Sequence, residues 1–116
     1  MPRSARSDPS VVWWVYLVRC ANRRIYVGIS PDPVRRFRVH SRRSSAHMRM
    51  NQPDCLLGAY RAGPFIRAVQ EERAIKRLSH DEKEAFASRL RETEDWAALG
   101  DSVRVPAPLI VGADRC

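Results

Sequence analysis

Residues 11–29 read VVWWVYLVRCANRRIYVGI, and this stretch carries the strongest signal for the fold. Val11 to Val18 is an almost unbroken run of β-branched and aromatic residues, which is typical of a strand covered on both faces. The turn-forming triplet Ala21-Asn22-Arg23 separates this run from Arg24 to Ile29, which has the composition of a second strand. The pattern predicts an antiparallel hairpin whose first strand lies in the centre of a sheet.

Helix signals follow the hairpin. Asp32 and Pro33 favour a helix start, as N-cap and first helical residue, and we expect this helix to reach about Arg43. A loop over residues 44–54 follows. We expect a short strand over Cys55 to Arg61 and a helix from Pro64 to about Leu78. A Ser-x-x-Glu capping box then starts a last helix, from Ser79 to about Leu99.

Charge is the strongest compositional signal in this chain of 116 residues. It carries 21 Lys and Arg against 13 Asp and Glu, a formal net charge of +8. Guanidinium groups hold phosphate oxygens two at a time, and so basic a small domain is attracted to polyanions by counterion release. Charge alone leaves open the alternative of a solvated basic surface with no particular ligand.

Length favours one domain with flanking segments. We expect a disordered basic N-terminus over residues 1–10, the folded domain over 11–99, and an apolar, proline-broken tail over 100–116 that covers the sheet, adds an edge strand or contacts a protein partner. The apolar run at 11–18 is too short to span a bilayer, so no membrane association is predicted. Three widely separated cysteines without a C-x-x-C pair indicate neither a zinc ribbon nor a disulfide framework, which favours a cytoplasmic setting.

Glu72 is the least expected residue of the second predicted helix. At about 100° per residue it falls within the apolar stripe that includes Ala68 and Ile75, whereas Glu71 lies toward the solvent side. An inward-facing carboxylate is costly unless it is paired or binds a metal ion. Two interpretations therefore stay open for Glu72: an ion pair with Lys76 one turn further along, or a metal ligand.

Arg36 and His40 lie four residues apart on the first predicted helix, and therefore on one side of it. Arginine suits a scissile phosphate, and histidine can relay a proton or touch that phosphate. The alternative is a basic helix face that binds nothing in particular and also includes Arg35, Arg42 and Arg43.

Tyr16 and Tyr26 lie ten residues apart, on the two arms of the predicted hairpin. Adjacent antiparallel strands can bring both rings to one face of the sheet. A phenol is a poor base at its usual pKa of about 10, but a neighbouring cation lowers that pKa. Simple packing within the sheet is the alternative explanation for either tyrosine.

Taken in order, these segments resemble the GIY-YIG nuclease family. Val15-Tyr16 and Tyr26-Val27-Gly28 are similar to its two signature strands. Residues 29–40 are similar to the turn and helix that carry Arg and His four apart, and residues 68–78 to the helix with the metal-binding Glu. The resemblance covers about residues 12–86, although Trp14-Val15-Tyr16 lacks the usual glycine of the first motif.

The resemblance implies an α+β fold, a three-stranded antiparallel sheet flanked by helices, and a divalent-metal endonuclease site that hydrolyses phosphodiester bonds in DNA. It implies that Glu72 is the sole carboxylate ligand of Mg²⁺ or Mn²⁺, and that Arg36 neutralises the phosphate. Tyr16 or Tyr26 would activate or orient the attacking water, with His40 assisting. We favour Tyr16 as the base and Tyr26 as a positioning group.

The expected partner is DNA, whether plain, branched or damaged, although RNA stays open. Four basic side chains are expected to contact it: Arg35, Arg42, Arg43 and Lys76. No recognition helix or base-reading motif is visible, so strong sequence specificity is not implied. Two other functions stay open, a nucleic-acid-binding module that cleaves nothing and a subunit of a larger repair or recombination complex. Oligomeric state does not follow from the sequence.

Overall fold

The computed structural model describes residues 5–42 and 53–100, and of residues 40–42, 53 and 54 it describes the backbone alone. The elements in chain order are β1 (Trp13–Cys20), β2 (Ile25–Ser30), α1 (Pro33–Arg42), β3 (Pro53–Gly63), α2 (Phe65–Lys76), α3 (His80–Leu90) and α4 (Glu94–Leu99). They form a three-stranded antiparallel sheet with helices against it, so the predicted α+β fold is confirmed.

The strand order is β2-β1-β3, which places β1 in the centre as the unbroken apolar run predicts. Alternate β1 side chains point to opposite faces of the sheet. Val15 and Leu17 belong to one core cluster, and Tyr16 and Val18 belong to the other. We call the face that carries Tyr16 the front face and the opposite one the back face. Both faces of β1 are buried.

Different helices cover the two faces. On the back face, α2 and α3 contribute Ile75, Ala87 and Leu90 to the core. On the front face, Val34 of α1 is buried in the cluster, with Phe37 of α1 and Trp96 and Leu99 of α4 packed against it. Burial of apolar side chains on both faces is the main term that holds these layers together.

The expected single helix from Ser79 to Leu99 is wrong, because the structure divides it into α3 and α4. Thr93 makes the division. Its hydroxyl donates to the carbonyl oxygen of Leu90 at 2.6 Å and accepts from the backbone N–H of Trp96 at 3.3 Å, so it serves the last turn of α3 and caps α4. The break lets the chain pass from the back face to the front face.

The other helix signals agree with the structure. Asp32 Oδ1 accepts from the backbone N–H of Arg35 at 3.1 Å, ahead of the helix that starts at Pro33. Ser79 and Glu82 form the expected capping box. β3 extends two residues beyond its expected limits at each end, because Trp13 still pairs with Gly63. Most of the predicted 44–54 loop, and the tail from residue 101 onward, lie outside the described residues.

Residues 5–10 form turns beside β1, where the carbonyl oxygen of Ala5 accepts from Trp13 Nε1 at 3.3 Å. The domain limits at 10 and 99 stay predictions. No helix in the described parts of the chain is long and apolar enough to cross a membrane. Cys20 is buried, and Cys55 is disulfide-bonded, which the cysteine spacing did not predict.

Candidate active site

The Tyr16 side chain defines the site on the front face. Tyr16 is only 3% exposed and pairs with Gly28 of β2. A Cβ atom at Gly28 would lie 2.6 Å from both Cζ and the hydroxyl oxygen of Tyr16. The ring therefore lies directly over the Gly28 backbone and points across β2 toward the edge of the sheet. A residue with any side chain at position 28 would push the ring away.

Tyr26 lies on the same face as Tyr16, because it pairs with Val18, two residues along β1. The expectation that both rings share a face agrees with this register. Their environments differ, since Tyr26 is 50% exposed. The site therefore combines one buried phenol with one that water and substrate can reach.

Arg36 reaches Tyr16 from α1. Its guanidinium interacts with the Tyr16 phenol. Burial raises the pKa of the Tyr16 phenol, Tyr26 raises it further, and Arg36 acts in the opposite direction. The sequence places Arg36 there because Asp32 fixes the start of α1 and the apolar Val34 and Phe37 turn one side of the helix to the core.

Glu72 lies on α2, which packs against the back face. Its side chain is 18% exposed, and its Oε1 lies 3.6 Å from Lys76 Nζ, itself half exposed. The charge of Glu72 contributes to raising the Tyr16 pKa, so the two groups interact although they belong to different faces. Both predicted interpretations of Glu72 keep their basis, because it is paired with Lys76 and its charge acts on the Tyr16 phenol.

The remaining predicted site residues are placed less completely. His40 follows Arg36 by one turn of α1, and Arg42 ends that helix, but only their backbones are described. Arg43 lies outside the described residues. Arg35 is exposed on α1. The structure thus brings together Tyr16, Tyr26, Arg36, Glu72 and Lys76.

The position of Glu71 differs from the expectation. It was expected to lie toward solvent, yet it is partly buried, and its charge raises the pKa of the Tyr60 phenol of β3. Helical spacing does place Glu71 100° away from Glu72, at the margin of the buried stripe. Its partner was not predictable, because the pairing depends on how α2 crosses the sheet.

The donor set suits one kind of metal ion. Among the described residues, no three His, Cys, Asp or Glu side chains gather in one place. A single carboxylate beside phenol oxygens is a poor site for Zn²⁺, which takes at least three protein ligands. Mg²⁺ keeps several waters and is usually held by one or two carboxylates together with substrate phosphates. Glu72 fits that requirement.

Comparison with known proteins identifies the class. Residues 12–89 match the GIY-YIG catalytic domain, which is more than half of the chain. The chain therefore belongs to the GIY-YIG family, and the resemblance seen in its motifs is confirmed.

Its relatives in that family carry the name UPF0213. The chain is 39% identical to a UPF0213 protein of Cupriavidus necator over 83 residues, which is 71% of this chain and 90% of that protein. It is 36% identical to one of Klebsiella pneumoniae over 80 residues, 68% of this chain and 76% of that protein. It is 32% identical to the UPF0213 protein YhbQ of Salmonella typhimurium over 95 residues, which is 81% of this chain and 92% of that protein. No solved structure matches the chain.

Proposed function

We propose that this protein is a divalent-metal-dependent endonuclease that hydrolyses phosphodiester bonds in DNA. The observation that carries the proposal is the convergence of Tyr16 of β1, Arg36 of α1 and Glu72 of α2, in a chain that belongs to the GIY-YIG family. Each side chain alone has a structural explanation. Three elements that deliver a phenol, a guanidinium and a carboxylate to one place are better explained by phosphodiester chemistry.

Arg36 is the group that binds the scissile phosphate. A guanidinium has five N–H donors, so Arg36 can interact with Tyr16 and still donate to phosphate oxygens. A cation at this position stabilises the charge that develops on the phosphate in the transition state.

Tyr16 is the favoured group for activating the water, with Tyr26 positioning it and His40 assisting. The raised pKa of Tyr16 keeps its phenol protonated at neutral pH, so a base role requires the small ionised fraction. Glu72 would hold Mg²⁺ or Mn²⁺ as the only protein carboxylate. When bound, such an ion supplies Lewis-acid polarisation of the phosphate and charge for the leaving oxygen.

The proposed substrate is DNA, including branched or damaged forms, gripped through its phosphates by Arg35, Arg42, Arg43 and Lys76. A net charge of +8 supports this choice of partner. The same proposal includes a role in DNA repair, a protein partner bound through the 100–116 tail, and a cytoplasmic location. The named relatives are bacterial proteins, and bacterial DNA lies in the cytoplasm.

The test compares wild type, Glu72→Gln and Glu92→Gln on labelled linear and branched DNAs, with Mg²⁺, with Mn²⁺ and with EDTA. Glu92 is an exposed glutamate after α3, so its variant carries the same change of charge outside the site. We expect metal-dependent cleavage by wild type and by Glu92→Gln, and its loss in Glu72→Gln with unchanged circular dichroism. Cleavage by Glu72→Gln at the wild-type rate would contradict the proposal.

A second candidate is a nucleic-acid-binding module without catalytic activity, alone or as a subunit. The observation in its favour is the Glu72–Lys76 ion pair at 3.6 Å, which gives Glu72 a purely structural partner. This candidate predicts that all three proteins bind DNA and none cleaves it. It also predicts that Glu72→Gln lowers the midpoint of thermal unfolding.

A further inference from the structure

The outward face of α2 carries charge of one sign. Ala68 and Ile75 are the buried residues of this helix, and the positions on the opposite side of it point to solvent. Four exposed residues occupy those positions: Ile66, Gln70, Arg73 and Arg77. We call these four residues the α2 ridge. The two carboxylates of the helix, Glu71 and Glu72, lie outside the ridge and are partly buried.

Arg73 and Arg77 are neighbours on this ridge. Arg77 directly follows α2, but its φ of −80° and ψ of −13° continue the helical path, so it lies one turn beyond Arg73. Like charges four residues apart on a helix repel each other. Among the described residues, neither guanidinium forms an ion pair, a hydrogen bond or a ring contact. Nothing in the described fold therefore compensates this repulsion.

Other exposed arginines have partners within the fold. Arg61 Nη1 lies 3.3 Å from Asp95 Oδ1, and Arg91 Nη1 donates to the carbonyl oxygen of Leu57 at 2.8 Å. Those guanidiniums connect helices to β3, so the fold itself explains them. The two guanidiniums of the α2 ridge have no such structural role in the described parts of the chain. A bound anion would give them one.

The ridge continues a basic path that starts at the candidate site. Lys76 lies about 40° around the helix from Glu72 and about 60° from Arg73, so it stands between the site and the ridge. Arg77 follows Glu72 by about 7.5 Å along the helix axis. Successive phosphates of one DNA strand are about 3.4 Å apart along the duplex axis. This distance along α2 therefore corresponds to about two phosphates of a strand held at Glu72.

We propose that the α2 ridge binds the phosphate backbone of DNA beside the scissile bond, through the Arg73 and Arg77 guanidiniums. The inference rests on the part of the proposed function that makes DNA the partner. A guanidinium holds phosphate oxygens two at a time, and a phosphate between two arginines removes their mutual repulsion. Contacts to phosphates carry no sequence information. The ridge therefore contributes affinity and orientation on the duplex, not base specificity.

The test measures binding of a labelled DNA duplex by fluorescence anisotropy at several NaCl concentrations, in EDTA so that the readout is independent of cleavage. Each phosphate contact contributes about 0.9 to the slope of log affinity against log salt concentration. We expect Arg73→Gln and Arg77→Gln each to reduce the slope by about 0.9, and the double variant by about 1.8. Affinity should fall by about two- to fivefold per arginine.

Two further variants serve as controls. Arg73→Lys keeps the charge and should keep the wild-type slope, because counterion release depends on charge. Arg89→Gln removes one exposed guanidinium from α3, which packs on the same face of the sheet as α2. The Arg89 guanidinium lies over the Phe86 ring, 5.3 Å being the corresponding distance for Arg6 over Phe65 and 5.9 Å the distance here. We expect Arg89→Gln to keep the wild-type slope.

Three outcomes decide the matter. Wild-type slopes in both Arg73→Gln and Arg77→Gln overturn the inference, and they are the result expected if these charges only favour the C-terminal end of α2 through the helix dipole. An equal reduction in Arg89→Gln also overturns it, because net charge alone then explains the effect. Wild type that binds no DNA at any salt concentration overturns the DNA partner of the proposed function as well, so the two failures are distinguishable.

Discussion

Tyr16 and Tyr60 occupy opposite faces of one sheet, and burial raises the pKa of both phenols. Their charged neighbours differ. Arg36 acts to lower the pKa of Tyr16, whereas Glu71 raises the pKa of Tyr60. The same side chain thus interacts with a cation in the candidate site and with an anion on the opposite face. The neighbouring charge, rather than the tyrosine or its burial, separates the two roles.

Two strand glycines repeat this contrast between the faces. Gly28 lies beneath the Tyr16 ring on the front face. Gly58 pairs with Leu17 and lies beneath α3, where an added Cβ would meet Leu90 Cβ and Cδ1 at 3.1 Å. One glycine makes room for a candidate catalytic side chain, and the other makes room for a helix. Substitutions at these positions should therefore affect different properties.

The largest expected effect is that of Gly28→Ala on cleavage. Its Cβ would overlap the end of the Tyr16 ring, 2.6 Å away, so the phenol must move. A displacement of about 1 Å in a catalytic group typically costs about 100-fold in rate. We expect a loss of at least that size in single-turnover cleavage of labelled DNA, with the far-ultraviolet circular dichroism retained. Cleavage within threefold of wild type would show that the position of Tyr16 is unimportant.

The second prediction concerns the pH dependence of cleavage. If Tyr16 is the base, its raised pKa leaves only a small ionised fraction, which grows about tenfold per pH unit below that pKa. We expect kcat/KM to rise with about that slope from pH 7 to pH 9, and the slope to disappear in Tyr16→Phe. Tyr60→Phe is the matched control and should keep the slope. A flat wild-type profile would assign Tyr16 the role of orienting the water.

Gly58→Ala should lower stability and leave the chemistry intact. Its Cβ would lie 3.3 Å from the carbonyl oxygen of Ala87 as well as close to Leu90, and helix backbone yields less easily than a flexible side chain. Overpacking of this kind costs about 1–3 kcal/mol. Urea unfolding should show that decrease, while kcat of the folded protein stays within twofold of wild type. A selective loss of activity at unchanged stability would contradict the division between the two faces.

The smallest effect concerns stability at alkaline pH. The folded pKa values of Tyr16 and Tyr60 both lie above the unfolded value of about 10. Their contribution to the free energy of unfolding is therefore complete below pH 10 and is lost as the pH rises through the folded pKa values. The slope is about 1.4 kcal/mol per pH unit for each tyrosine in that window.

Urea unfolding between pH 9 and pH 11 measures this effect. Each single variant, Tyr16→Phe or Tyr60→Phe, should lose stability more slowly with rising pH than wild type, since one titrating phenol is gone. The difference in pH dependence from wild type should be larger, and extend to higher pH, for Tyr60→Phe than for Tyr16→Phe. The reason is that the Glu71 charge adds to the effect of burial on the Tyr60 pKa, whereas Arg36 opposes the effect of burial on the Tyr16 pKa. Parallel curves for all three proteins would contradict the assigned pKa directions.

Local signals predicted most of the fold. The hairpin, the Asp32 cap and the Ser79 capping box depend on residues within a few positions of one another, and all three agree with the structure. The break at Thr93 was missed because a threonine inside a helical pattern does not by itself end a helix. Its effect arises because α3 packs on the back face and α4 on the front, which no local pattern reveals.

For the site, residue types and their spacing predicted the candidate side chains and their order along the chain: the hairpin tyrosines, Arg36 with His40, and Glu72 on a helix. Side-chain type and helical or strand periodicity are local properties, so a single chain displays them. The three-dimensional fold defines which of these groups interact, and it brings Glu71 into interaction with Tyr60. Those contacts depend on how α1 and α2 cross a sheet formed by strands distant in sequence, and on a glycine at position 28 that leaves space for a ring from the next strand.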